Sequence, residues 1–343
     1  MWERDQNVDT GWIGAGPDDD LDRRLAEEEE PFDLSRPHVM SALGPVLPAA
    51  LGITLVHERF APSQNHMTAS KRDPSEQHVA LAELEDLFAA GGRTIVDAST
   101  ADRGRDVSAL SWIAARSPVH LVLVTGYAGN KTPTRSRRDG TGRAVAELAD
   151  SYTRDLTDGL AGSATRAGLI LMDTAGRTIG AHEQTILRAV ALTFGATSAP
   201  VVVRGGSAAI THEFLRALEE AGVDLHRVII SGSAASQTVP DLQSLLGVGA
   251  FLAFDRLLGD GLERAEAAAD TIQTLVAAGF GDQILLTAGL AAPDGWRAHG
   301  GPGWVWLLER FSLMLMDAGV DARMVRGMLV DNPARALTIR AEE

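Results

Sequence analysis

A few side chains in this sequence have types and spacings that suit chemistry. His57 offers an imidazole, the group best matched to proton transfer near neutral pH, and Asp173 offers a carboxylate for the complementary acid/base role. Arg59 stands two residues beyond His57, and Arg204 ends the apolar run Val201–Arg204. A guanidinium stays charged at every working pH and grips a carboxylate or phosphate through paired hydrogen bonds. Arg59 and Arg204, with Asp255, are therefore candidates for binding a small anionic or polar substrate. Trp296, on a Gly-flanked loop, and Trp304, after Gly300-Gly301-Pro302-Gly303, are candidates for covering it, with plain packing as the competing role. An arginine in such a place needs a carboxylate, and Asp173, Asp255, Asp97 and Glu58 are available. An Arg–Asp pair that simply plugs the space is the alternative to an anion pocket, and a histidine bonded to a neighbouring carboxylate is the alternative to a catalytic His57.

The elements that must position these residues follow a rhythm that begins near residue 50. Apolar runs occur at Ile53–His57, Thr94–Ser99, His120–Thr125, Gly168–Asp173, Val201–Arg204, Val228–Ser231, Ala250–Asp255 and Gln283–Thr287. Helix-like stretches lie between them, such as Val79–Ala90, Asp106–Ala115, Glu183–Ala196, Ile210–Ala221, Glu263–Ala278 and Val305–Ala318. Runs apolar throughout predict strands buried on both faces, hence a parallel sheet with helices outside. Eight such units are the count that closes a (β/α)8 TIM barrel. The predicted fold class is α/β, with a barrel over residues 40–340 and an acidic N-terminal arm over residues 1–39. No Gly-x-Gly-x-x-Gly follows a first strand, which counts against a doubly wound sheet. In a barrel the C-terminal strand ends carry the site. Strand alternation turns His57 inward with Arg59, and Leu171 with Asp173.

Composition narrows the classes. The chain carries 31 Lys+Arg against 46 Asp+Glu, a net charge of −15, and 45% apolar residues, as in a globular protein. That balance argues against nonspecific nucleic-acid binding. No apolar run reaches the length of a membrane span, and the acidic start lacks the apolar core of a secretory signal, so a cytoplasmic location without membrane contact is expected. There is no cysteine, which excludes disulfides, thiolate metal sites and cysteine nucleophiles. Residues 1–36 concentrate the acids, including Asp18-Asp19-Asp20 and Glu27-Glu28-Glu29-Glu30. The arm reads as a solvated tail, or as a contact for a protein partner or for the basic loop 127–143, which holds Lys131, Arg135, Arg137, Arg138 and Arg143.

Read in order, the motifs resemble the phosphotriesterase family of the amidohydrolase superfamily. Gly44-Pro45 and Leu51-Gly52-Ile53-Thr54-Leu55-Val56-His57-Glu58 look like its opening strand, and Asp97, Thr100 and Asp102-Arg103-Gly104-Arg105-Asp106 like its second strand and turn. Ala167-Gly168-Leu169-Ile170, Glu219-Glu220-Ala221-Gly222-Val223-Asp224-Leu225, Phe254-Asp255-Arg256, Gln283-Ile284-Leu285-Leu286, Gly300-Gly301-Pro302-Gly303 and Asp331-Asn332-Pro333-Ala334-Arg335-Ala336-Leu337 complete the match, over about residues 40–338.

The resemblance implies a barrel, a possible homodimer, and two divalent metals at the mouth. Their ligands would be a His-x-His on strand one, a carbamylated lysine on strand four, histidines ending strands five and six, and an aspartate ending strand eight. The residues standing there are His57, Arg59, Leu171, Arg204, Gly232 and Gly289. Only the first can bind a metal, so no metal and no other cofactor is expected. The two glycines are expected to open space for a ligand or water. The leading reading is a metal-independent enzyme acting on a small anionic or polar metabolite. The alternatives are a noncatalytic pseudoenzyme that binds a ligand or partner protein, and a residual metal-dependent ester or lactone hydrolase.

Overall fold

The structure, a computed structural model, describes residues 32–60, 75–128, 142–174, 178–232, 234, 237–257, 261–290 and 295–340. Most of the acidic arm and most of the basic loop 127–143 lie outside the described residues.

A short hairpin, β1 (Val39–Ser41) and β2 (Gly44–Val46), comes first. Eight parallel strands follow in sequential order: β3 (Ile53–Glu58), β4 (Gly92–Asp97), β5 (His120–Tyr127), β6 (Leu169–Asp173), β7 (Val201–Arg204), β8 (Val228–Ser231), β9 (Phe251–Phe254) and β10 (Ile284–Leu286). With the helices between them they form a nearly closed (β/α)8 barrel, as the run count predicts. The intervening helices include α1 (Ser75–Ala89), α2 (Val107–Ala114), α3 (Gly142–Thr157), α4 (Ala181–Thr197), α5 (Ala208–Glu220), α6 (Val239–Leu246) and α7 (Leu262–Ala277). Asp106 caps α2 by accepting from the Ala109 amide, and Thr238 caps α6 through a reciprocal box with Asp241.

Two cores result from the alternation. Val56, Val96, Val122, Val124, Leu169, Leu171, Val202, Ile229, Ala253 and Leu285 fill the barrel interior, and Val39 of the hairpin joins them. Leu55, Ile95, Leu121, Leu123, Ile170, Met172, Val203, Ile230, Phe254 and Leu286 face the helices. Near its end β3 breaks the alternation. Leu55 pairs with Ile95 and Glu58 with Asp97, so three steps on β3 match two on β4. This bulge reverses the pleat. His57 follows Val56 to the inner face and Glu58 turns outward.

β3 and β10 share no ladder; side chains and loop backbone close the seam between them. The Glu58 carboxylate accepts from Thr287 Oγ1 at 2.5 Å, Gly289 N at 3.0 Å, Leu290 N at 2.8 Å and Trp304 Nε1 at 3.1 Å. The His57 amide donates to Thr287 Oγ1, and the Arg59 amide to the Leu290 carbonyl. At the other end of the barrel, Asn332 in α8 (Asp331–Leu337) donates to the Gly281 and Ile284 carbonyls, holding the start of β10.

Candidate active site

The register of the middle strands builds the site. Asp173, Arg204 and Ser231 are direct neighbours across β6, β7 and β8, and each shares its parity with an interior residue: Leu171, Val202 and Ile229. Arg204 donates to Asp173 Oδ2 at 3.1 Å. Its aliphatic stem lies across Gly232, whose φ is +81°; a Cβ there would stand 2.9 Å from Arg204 Cγ. Asp255, one residue past β9, is buried and accepts from the Gly232 amide at 3.0 Å. Burial raises its pKa, while Arg204, Arg256 and Arg59 oppose the shift.

A third arginine belongs to this group. Arg103 sits on the short turn Ala101–Arg103 after β4. Both its Nε, at 2.8 Å, and one terminal nitrogen donate to the Ala128 carbonyl. That terminal nitrogen lies 4.0 Å from Asp173 Oδ2. Arg59 is held close to both: burial, then Arg204 and then Arg103 lower its pKa, opposed by Asp255 and Asp173. Among the described residues its guanidinium makes no hydrogen bond or ion pair. Arg59, Arg103 and Arg204 thus gather about Asp173 and Asp255, with Arg256 also acting on Asp255, so positive charge is in excess here.

His57 is buried beside this cluster. Burial first, then Arg59 and Arg204, push its pKa down to about 3, so the imidazole is neutral at physiological pH. Its Nδ1 has no hydrogen-bond partner among the described residues, and neither does the buried Ser231 hydroxyl. The arrangement can bind an anion on guanidinium groups, hold a carboxylate beside them, and offer a neutral imidazole nitrogen to a proton.

The structure thus brings together His57, Arg59, Asp173, Arg204 and Asp255. It does not bring the tryptophans to them. Trp304 is fully buried in the helix-side core, bonded to Glu58, and Trp296 packs against it with ring centroids 5.9 Å apart. Phe60 completes the cluster at 5.0 Å from Trp304. Glu58 and Asp97 are likewise not arginine partners at the mouth. Glu58 faces the seam, and Asp97 accepts from the Ser99 hydroxyl and amide and the Phe60 amide. The space expected above the two glycines is also taken, by the Arg204 stem at Gly232 and by Asp255 and Arg256 at Gly289. Arg103 was absent from the sequence-based candidates. Its signals in the sequence are the family-like turn Asp102-Arg103-Gly104-Arg105-Asp106 and proximity to a strand end, both of which Arg105 shares; yet Arg105 points to the Val124 carbonyl.

The model of the phosphotriesterase family matches residues 37–337. The chain belongs to that family. Its relatives include the phosphotriesterase homology protein of Mycobacterium tuberculosis, 29% identical, with 87% of this chain and 97% of the relative covered. An N-acetyltaurine hydrolase of Salmo salar is 26% identical over 88% of this chain and 98% of its own length. Among solved structures, a lactonase from Listeria monocytogenes superposes with a TM-score of 0.78 at 23% identity, covering 88% of this chain and 99% of that one, a likeness of fold alone. The phosphotriesterase from Mycobacterium tuberculosis superposes with a TM-score of 0.76 at 27% identity, over 88% of this chain and 99% of its own.

Among the described residues no group of three or more His, Asp or Glu side chains converges in a way that could hold a metal ion.

Proposed function

We propose that this chain is a hydrolase-type enzyme that binds a small anionic substrate on Arg59 and Arg204, without the family's pair of divalent metals. The observation that carries this reading is the Arg59 guanidinium, without a hydrogen bond or ion pair among the described residues, beside the Arg204–Asp173 pair at the inner barrel mouth. The donor set does not fit two cations. Guanidinium nitrogens have no lone pair to give and repel a cation, and a metal favours neutral imidazole or carboxylate. The Arg204 stem also fills the space over Gly232. No step is therefore routed through a metal.

In this reading the substrate anion lands between Arg59 and Arg204. Asp173, paired with Arg204, or His57 accepts a proton from water as it attacks the amide or ester carbon, and returns that proton to the departing amine or alcohol as the C–N or C–O bond breaks. Burial and two guanidinium charges hold His57 neutral and make it a weak base. A bound anion cancels part of that charge and leaves the imidazole more basic when substrate is present. The name of a relative, an N-acetyltaurine hydrolase, supports hydrolysis of a small amide as the reaction class.

The test is metal content and turnover on the same sample. Protein purified without chelators is analysed for zinc, manganese, cobalt and iron, then assayed on small anionic amides, esters and lactones before and after chelation. Less than one metal per chain, with turnover that survives chelation and is lost in Arg59→Met, is the expected result. Two metals per chain with chelator-sensitive turnover would overturn it. A pseudoenzyme is the second reading, favoured by the direct Arg204–Asp173 pair; anion binding with no turnover of any class would establish it.

A further inference from the structure

Ser231 sits in the inner mouth layer beside Arg204 and has no role above. It ends β8 and is wholly buried. Its carbonyl is occupied, accepting from the Gly205 amide at 2.8 Å, but its hydroxyl has no partner among the described residues. Buried hydroxyls are nearly always hydrogen-bonded, and alanine or glycine fits the same space without a polar atom to satisfy. This hydroxyl is also specifically placed. Ser231 is the in-register neighbour of Arg204, and its side chain shares the inward parity of Ile229. The next residue, Gly232, carries the Arg204 stem and donates its amide to Asp255. The unpartnered Nδ1 of His57 lies in the field of the same Arg204.

We infer that the Ser231 hydroxyl is a specificity-determining donor to the substrate anion, and that it selects a tetrahedral oxyanion, a sulfonate or a phosphate-type group, over a planar carboxylate. This rests on the anion site proposed above. The donors approach from separate elements: Arg59 after β3, Arg204 on β7 and Ser231 on β8. A carboxylate offers two oxygens in one plane, which the two guanidinium groups satisfy between them. A sulfonate or phosphate carries a third terminal oxygen out of that plane, which is left to accept from Ser231. The hydroxyl is neutral, so it adds direction without further charge, and an analogue lacking the third oxygen leaves it buried and unpaired.

The full-length protein is titrated with methanesulfonate, methylphosphonate and acetate by calorimetry, as wild type, Ser231→Ala, Ser231→Thr and Arg204→Met. Wild type is expected to bind methanesulfonate or methylphosphonate at least tenfold tighter than acetate, and the better of the two names the source of the tetrahedral group. Ser231→Ala should weaken that ligand about tenfold, the loss of one hydrogen bond to an anion. It should leave acetate within about twofold, and Ser231→Thr should restore part of the loss. The melting temperature of ligand-free Ser231→Ala should equal or exceed that of wild type, because an unused buried hydroxyl is removed. A hydroxyl with a purely structural role would lower it, and that outcome overturns the inference. So does unchanged tetrahedral-anion affinity in Ser231→Ala while Arg204→Met abolishes binding. If wild type binds none of the three anions, the anion site itself fails and this inference falls with it.

Discussion

Trp304 donates its indole N–H to Glu58 Oε2 at 3.1 Å, and through that contact the segment after the last barrel strand is tied to the end of the first. Glu58 is adjacent to His57, so the closure of the barrel and the placement of the candidate base depend on the same short stretch. The bulge between Leu55 and Glu58 allows both: one residue turns into the mouth and the next out to the seam. Without it, the alternation of β3 would carry Glu58 inward and His57 toward the helices. The pair that looked from its residue types like a substrate cover and an arginine partner is instead the fastening of the scaffold.

Substitution at this fastening should be costly. The Glu58 carboxylate receives four donors and gives none. Glu58→Gln replaces one acceptor oxygen by an amide nitrogen that must face donors, and a loss of about 3 kcal/mol is expected. Trp304→Phe removes one donor and some volume, and should cost about 2 kcal/mol. Urea denaturation followed by tryptophan fluorescence and circular dichroism measures both. A change below about 0.5 kcal/mol in both variants would mean that the seam is held by backbone contacts alone.

The pH dependence of stability should carry the mark of His57. Its ordinary pKa of 6.5 applies to the unfolded chain, while burial and the two arginines bring it to about 3 in the folded protein. Between those values the unfolded chain binds a proton that the folded one refuses. The contribution is therefore fully present above pH 6.5 and is lost as pH falls toward 3. The slope reaches at most about 1.4 kcal/mol per pH unit. Burial of Glu58 acts in the opposite sense: its folded pKa is raised to about 7, so its contribution is lost as pH rises from 4.5 to 7. The clean measurement is the difference between wild type and His57→Phe across pH 4–8, in which Glu58 cancels. The His57 Cε1–H resonance should also stay flat between pH 5 and 8. A midpoint near 6.5 would show that the imidazole is solvated and free of the arginines.

The barrel was legible because its strands are buried on both faces, so their apolar runs stand out without alternation; all eight barrel strands overlap the predicted runs. The hairpin Val39–Ser41 and Gly44–Val46 was not, since two three-residue strands have too little periodicity to register. Neither was the bulge. In a run as apolar as Ile53-Thr54-Leu55-Val56, nothing in the residue types marks where the pleat reverses. Asp173 is one of four carboxylates the sequence offers to Arg204; both end consecutive strands with inward parity, and the strand register then pairs them. Arg103 could not be placed, because it reaches the site from a turn whose direction depends on the distant Ala128 carbonyl. The glycines misled for a related reason: a missing side chain says that room is needed, not which neighbour fills it.

That last point yields a test of how committed the mouth is to its arginines. At Gly232 the φ of +81° already disfavours a side chain, and a Cβ would press on Arg204 Cγ at 2.9 Å. Gly232→Ala should cost about 1–2 kcal/mol and loosen the Arg204–Asp173 pair, weakening anion binding several-fold. At Gly289, with φ +64°, a Cβ would meet the Arg256 backbone nitrogen at 2.3 Å, and backbone cannot swing aside as a side-chain tip can. Gly289→Asp places a carboxylate where the family's pattern has one, and Arg204→His an imidazole. Yet the double variant should lose about 3 kcal/mol or more and still take up no stoichiometric zinc or manganese. Mass spectrometry of the intact protein under native conditions, with melting curves on the same samples, reads both quantities. Full stability together with two metals per chain would mean that the mouth has kept the shape of a metal site and changed only its side chains.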